Sequence, residues 1–133
     1  MKLRIFAALF GITLVTAGCV STVTDSKTFG VPLVHDSVQG RYQRSLDQVY
    51  RAAVTVVNNN GVMTTEFIPH DSTNAVRSLE GKLNQGKVWV RVEALDPQTP
   101  VTGVTVEVRT RYGGTDVEAA HELEKDIALQ LAR

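Results

Sequence analysis

The hydrophobic period of this chain changes twice, and those two changes leave few folds open. Leu46, Val49, Tyr50, Ala53 and Val57 stand at i, i+3, i+4, i+7 and i+11, which is one stripe of a 3.6-residue helix. Ser45 followed by Gln48 spells a capping box just before that stripe, and Asn58-Asn59-Asn60-Gly61 stops it, since Asn and Gly tolerate the left-handed conformation at a helix end. A helix is therefore predicted over residues 45–59. From Val62 onward the period is two. Val88, Val90, Val92 and Ala94 alternate with Lys87, Trp89, Arg91 and Glu93, and Val104, Val106 and Val108 alternate with Thr105, Glu107 and Arg109. Such alternation separates a buried face from a wet one.

Strands are predicted over residues 62–68, 75–83, 87–95 and 101–111. Pro69 with the turn-prone His70 to Asn74, the short loop at Asn84-Gln85-Gly86, and Asp96-Pro97-Gln98-Thr99-Pro100 separate them. A shorter strand fits residues 37–43. After Tyr112-Gly113-Gly114 the helical period returns: Val117, Ala120, Leu123, Ile127 and Leu131 form a stripe. Thr115 with Glu118 reads as a second capping box, and Asp116 adds negative charge near the positive end of the helix dipole. The order is β-α-β-β-β-β-α. Two helices with one apolar stripe each and a mainly antiparallel sheet with one valine-lined face bury one another, as an α+β two-layer sandwich with both helices on one face.

The N-terminus follows a different logic. Met-Lys-Leu-Arg precedes the apolar residues 5–15, followed by Thr16-Ala17-Gly18 and then Cys19, the only cysteine. The sixteen residues from Ile5 to Val20 fall short of the roughly 20 needed to span a bilayer. They read as a cleaved signal peptide. Cys19 is then either a lipidation site or a spare thiol behind an ordinary secretory signal, and its place right after small residues favours lipidation. Removing residues 1–18 of 133 leaves 115, the size of one domain with a core of its own. Residues 19–36 read as lipidated cysteine, polar tether and extended lead-in, and residues 37–133 as the single domain. Lys2 and Arg4 leave with the signal, so the remainder carries 12 basic against 14 acidic side chains. That balance excludes a nucleic-acid footprint, which calls for a basic surplus. One cysteine forms no intrachain disulfide.

Ala17-Gly18-Cys19, together with Val104-Thr105-Val106-Glu107-Val108-Arg109 running into Tyr112-Gly113-Gly114-Thr115-Asp116 and an amphipathic C-terminal helix, resembles a family of small bacterial lipoproteins of unknown function. The resemblance covers residues from about 39 to the C-terminus. It departs from the family pattern where Thr16 replaces the usual aliphatic residue and where Thr115 separates Gly114 from Asp116. It implies cleavage between Gly18 and Cys19, a diacylglyceryl cysteine with a further fatty acyl chain such as palmitate, and, because Val20 follows in place of aspartate, sorting to the outer membrane facing the periplasm. It implies no activity.

Candidate sites are few. His35-Asp36 and His70-Asp71 lie in turn-like sequence without a metal-ligand spacing. Arg109 and Arg111, approaching Gly113-Gly114 at a helix start, are candidates for an anion site, although Thr115, Asp116 and Glu118 already supply capping groups and negative charge there. Arg77, Glu80, Arg91, Glu93, Glu107 and Arg109 read as a solvated, mixed-charge sheet face. Trp89, the only tryptophan, stands on that face beside Arg91. The pair is either a partner contact or, for Trp89, a cover for a loop such as residues 29–34. No nucleophile elbow, metal motif or phosphate loop organises the Ser, His and Asp residues. The expected function is accordingly a lipid-anchored envelope protein without catalysis or cofactor, engaged in protein interaction or envelope assembly. A periplasmic small-ligand binder is the alternative.

Overall fold

In a computed structural model describing residues 36–69 and 76–133, seven elements follow the expected order. They are β1 (Val38–Tyr42), α1 (Leu46–Asn60), β2 (Gly61–Phe67), β3 (Val76–Leu83), β4 (Gly86–Ala94), β5 (Thr102–Thr110) and α2 (Val117–Leu131). The strands form one antiparallel sheet in the order β1-β5-β4-β3-β2. Four consecutive strands make a meander, and β1 adds itself beside β5. The signal segment with Gly18 and Cys19, the tether, residues 29–34, His35 and the His70-Asp71 pair lie outside the described residues.

Both helices pack on one face of the sheet, where Leu79, Val88, Val90, Val92, Val104, Val106 and Val108 meet Val49, Ala53 and Val57 of α1 and Ala120, Leu123 and Ile127 of α2. The strand register predicted for β4 and β5 is the observed one. Close approach of α1 depends on Gly81, where a Cβ would stand 2.7 Å from Val57 Cγ1. The capping box of α1 is present: Gln48 N–H donates to Ser45 Oγ, and Ser45 N–H donates to Gln48 Oε1, each at 3.3 Å. At α2 the expectation is corrected. The N-cap is Asp116, whose side chain accepts from Ala119 N–H at 3.0 Å, because Thr115 is drawn into a bridge with Arg109 and the helix starts one residue later.

Two tyrosine–glutamate clasps fasten the layers at opposite sheet edges. Tyr42 of edge strand β1 donates to Glu124 of α2, and Gly40 leaves the room for it, since a Cβ there would collide with both partners. Tyr50 of α1 donates to Glu66 of edge strand β2 at 2.5 Å. Burial first, then the hydrogen bond and the charge of the glutamate, pushes each phenol well above its ordinary value. Arg77 is held on this helix side of the sheet by Asp47 at 2.9 Å and stacks over Tyr50, so it does not belong to the opposite face to which the sequence assigned it.

That opposite face differs from expectation in a second way. Glu107 is wholly buried and Arg91 is 6% exposed, where solvated side chains were predicted. Long side chains here lie along the sheet instead of standing up from it. Arg109 donates to Glu107 Oε1 at 2.6 Å while its guanidinium stacks on Trp89, 4.8 Å from the ring centre. Arg91 reaches along its own strand to Glu93 at 3.1 Å.

Candidate functional site

Strand pairing sorts the face opposite α1 and α2 into rows of alternating character. One row is Lys82, Lys87 and Arg109, directly opposite one another across β3, β4 and β5. The next is Glu80, Trp89 and Glu107. Like charges directly opposite across a ladder destabilise it, each pair by up to about 1 kcal/mol. Here the acidic row compensates in part. Glu80 lies 3.6 Å from Lys87, whose side chain is 54% exposed, and Glu107 holds Arg109. The exposed Lys87–Glu80 pair is worth little in water. Buried Glu107, by contrast, fixes Arg109 at the Trp89 ring, where cation–π attraction adds to the hydrogen bond.

Around this aromatic–cation pair lies a cleft of about 620 Å³, open at the end of the sheet where β3 turns into β4. Lys82, Lys87, Arg109 and Arg111 line it with Trp89, and no carboxylate does so among the described residues. Lys82 and Arg111 have no acidic partner among the described residues either. The amide side chains of Asn84 and Gln85 in the hairpin complete the wall.

The structure therefore joins two groups of residues that the sequence kept apart. Trp89 and the anion candidates Arg109, Arg111 and Gly113 share one cleft. The helix start itself is closed to an anion by Asp116, which occupies the orphan N–H of Ala119. Gly113 and Gly114 serve the turn: Gly113, at φ +88°, donates to Thr110 O at 3.0 Å, and Thr110 N–H donates to Gly114 O at 2.7 Å. Arg91 is excluded as a surface contact by its burial. Sequence reasoning missed Lys82 and Lys87, whose alignment depends on a hairpin register that alternation alone does not supply.

Residues 2–130 match a family model described as a protein of unknown function, DUF3568. The chain belongs to the DUF3568 family. No curated protein matches it. The match runs over more of the chain than the resemblance read from residue 39 onward. This DUF3568 domain carries a second, larger crevice of about 870 Å³ on the helix side, between α2 and the β3–β4 hairpin. Its floor is Leu83, Val108 and Leu123, and its rim mixes Asp116, Glu122 and Asp126 with Arg109 and Arg111. Among the described residues, no group of three His, Cys, Asp or Glu side chains stands close enough to hold a metal ion.

Proposed function

We propose that this protein is a non-catalytic binding module of the bacterial cell envelope, tethered by a lipidated Cys19 to the outer membrane and presenting the Trp89 face of its sheet to a partner. The observation that carries the binding part is the cleft around Trp89. Both helices cover the other face, and here a large aromatic is held rigid by Arg109 and ringed by cations. Preorganised aromatic and arginine side chains in a recess are typical of interface anchors. The signal-like residues 1–19 support the anchoring part: three acyl chains, each buried CH₂ contributing about 0.8 kcal/mol, hold a protein at a membrane essentially permanently.

Two experiments test the reading. Cys19→Ser is expected to abolish palmitate labelling and cleavage after Gly18, and retention of both refutes the anchor. A photoreactive benzoylphenylalanine at position 89 is expected to cross-link a discrete partner in intact envelopes, whereas the same group at the exposed Glu118 is not. Equal adducts at both positions, or none at 89, refute the binding face. The crevice beside α2 favours the alternative, a periplasmic small-ligand binder, and a bound molecule retained through purification and lost in Glu122→Arg, an exposed rim substitution that leaves the core intact, would favour that reading over the first.

A further inference from the structure

The Trp89 cleft brings together more positive charge than a fold of this size needs. Lys82, Lys87 and Arg109 stand in register on three adjacent strands, an arrangement that weakens the ladder it sits on. Arg111 adds a fourth cation at the rim. Glu80 and Glu107 engage Lys87 and Arg109 from the neighbouring row, so among the described residues the lining retains an excess of two positive charges, contributed by Lys82 and Arg111. We propose that this cleft binds a phosphate-bearing ligand, the phosphate seated among Lys82, Lys87 and Arg111 and the remainder of the molecule lying against Trp89.

Charge and volume both favour phosphate over a carboxylate. A phosphate monoester carries about 1.5 to 2 negative charges and three acceptor oxygens, which answers several convergent donors at once, while one carboxylate compensates a single cation. Arginine presents a planar fork of donors matched to phosphate oxygens, and lysine adds a mobile point charge. A cleft of about 620 Å³ lies in the range of small-molecule sites, about 300–1,000 Å³, and has room for more than the phosphate alone. Glu107 gives the site its rigidity. Buried completely, it fixes the Arg109 guanidinium against the ring, so the aromatic wall is in place before any ligand arrives. A lipid headgroup that ends in a phosphate monoester and a soluble phosphate monoester offer the same chemistry.

The inference rests on the reading that the Trp89 face is the working surface, and its test separates the two. Trp89 is the only tryptophan, so its fluorescence reports the cleft directly. The full chain in non-ionic detergent is titrated with inorganic phosphate, with micelles doped with phosphatidic acid, whose headgroup is a phosphate monoester, or with phosphatidylcholine, and with polyglutamate. A saturable fluorescence change is expected with phosphate or phosphatidic acid. It should weaken about tenfold for each cation removed in Lys82→Gln and Arg111→Gln and persist in Lys125→Gln, which removes a charge from α2. A response to phosphatidic acid alone assigns the ligand to a lipid headgroup, and a response to inorganic phosphate assigns it to a soluble ester. No saturable change with either overturns the inference, as does an equal response to polyglutamate or an unaltered response in Arg111→Gln, whose exposed turn position leaves the core intact. If phosphate fails while the position-89 cross-link persists, the binding face stands and only the ligand class falls.

Discussion

Gly81→Ala tests the packing of α1 on the sheet with a single methyl group. Its backbone needs no left-handed conformation, so the substitution is opposed only by space. The new Cβ would stand 2.7 Å from Val57 Cγ1, 3.1 Å from Val88 Cγ1 and 3.1 Å from the carbonyl oxygen of Val62, against ordinary carbon contacts of about 3.5–4.0 Å. Neither valine can swing aside, being 1% and 0% exposed, and the carbonyl belongs to the backbone of β2. Overpacking of this kind costs about 1–3 kcal/mol. Lower entropy of the unfolded chain returns about 0.4–1 kcal/mol. The net loss of about 1–2 kcal/mol corresponds to a melting temperature lowered by roughly 5–15 °C for a domain of this size. Urea and thermal unfolding of the variant measure it. Val57→Ala removes the clashing methyl and alone costs about 2 kcal/mol, but combined with Gly81→Ala it should cost about 1 kcal/mol less than the sum. A Gly81→Ala protein as stable as the parent, or strict additivity in the double variant, refutes the claim that α1 is seated against this glycine.

Val90→Asp places a carboxylate among wholly buried valines at a cost of several kcal/mol against a total of about 5–15, and should yield no cooperative melt. Lys87→Asp, on the other face, should melt cooperatively, and similar behaviour of the two refutes the register. Asp116→Ala removes the α2 cap and should cost about 1 kcal/mol in urea unfolding, whereas Thr115→Ala should cost less. Both clasp phenols have folded values above the unfolded value, so their stabilisation is present below about pH 10 and lost as pH rises from there through the folded values. Unfolding midpoints compared at pH 8 and pH 11 should fall more steeply for the parent than for the Tyr42→Phe/Tyr50→Phe double variant, and parallel slopes would contradict the clasps.

Layer order and element types were legible because the hydrophobic period reports them directly: a stripe through Leu46, Val49, Tyr50 and Ala53 admits a helix, and valines at alternate positions of β4 and β5 admit strands. Features that depend on pairing were not legible. The register shift between Met63 and Thr65 in β2 sets Met63 and Glu66 toward the helices and Thr65 and Phe67 away from them, a reversal of parity with no local signal. Arg77 was misassigned for a related reason. It shares its row with Val92 and Val104, and its charge hid that it faces α1, where Asp47 receives it. Glu107 stands opposite Trp89 and holds Arg109, a three-residue arrangement that no single strand reveals. Trp89 and Arg109 were each noticed, but only pairing of β4 with β5 places them together, and only pairing of β3 with β4 adds Lys82 and Lys87.

The placement of β1 bears on the order in which the molecule can be assembled. Its partners begin with Val38 against Val106, so β1 stays without its sheet neighbour until most of the chain has followed. Tyr42 waits longer still, because Glu124 comes from the final helix. Local pairing can proceed through β2, β3 and β4, but the sheet closes only when the last third of the sequence arrives, and long-range closure of this kind is slow. A nascent chain arrested after β4 therefore holds an unpaired edge on β4 and an unclaimed β1, and it stays accessible to chaperones and to any machinery that handles extended polypeptide.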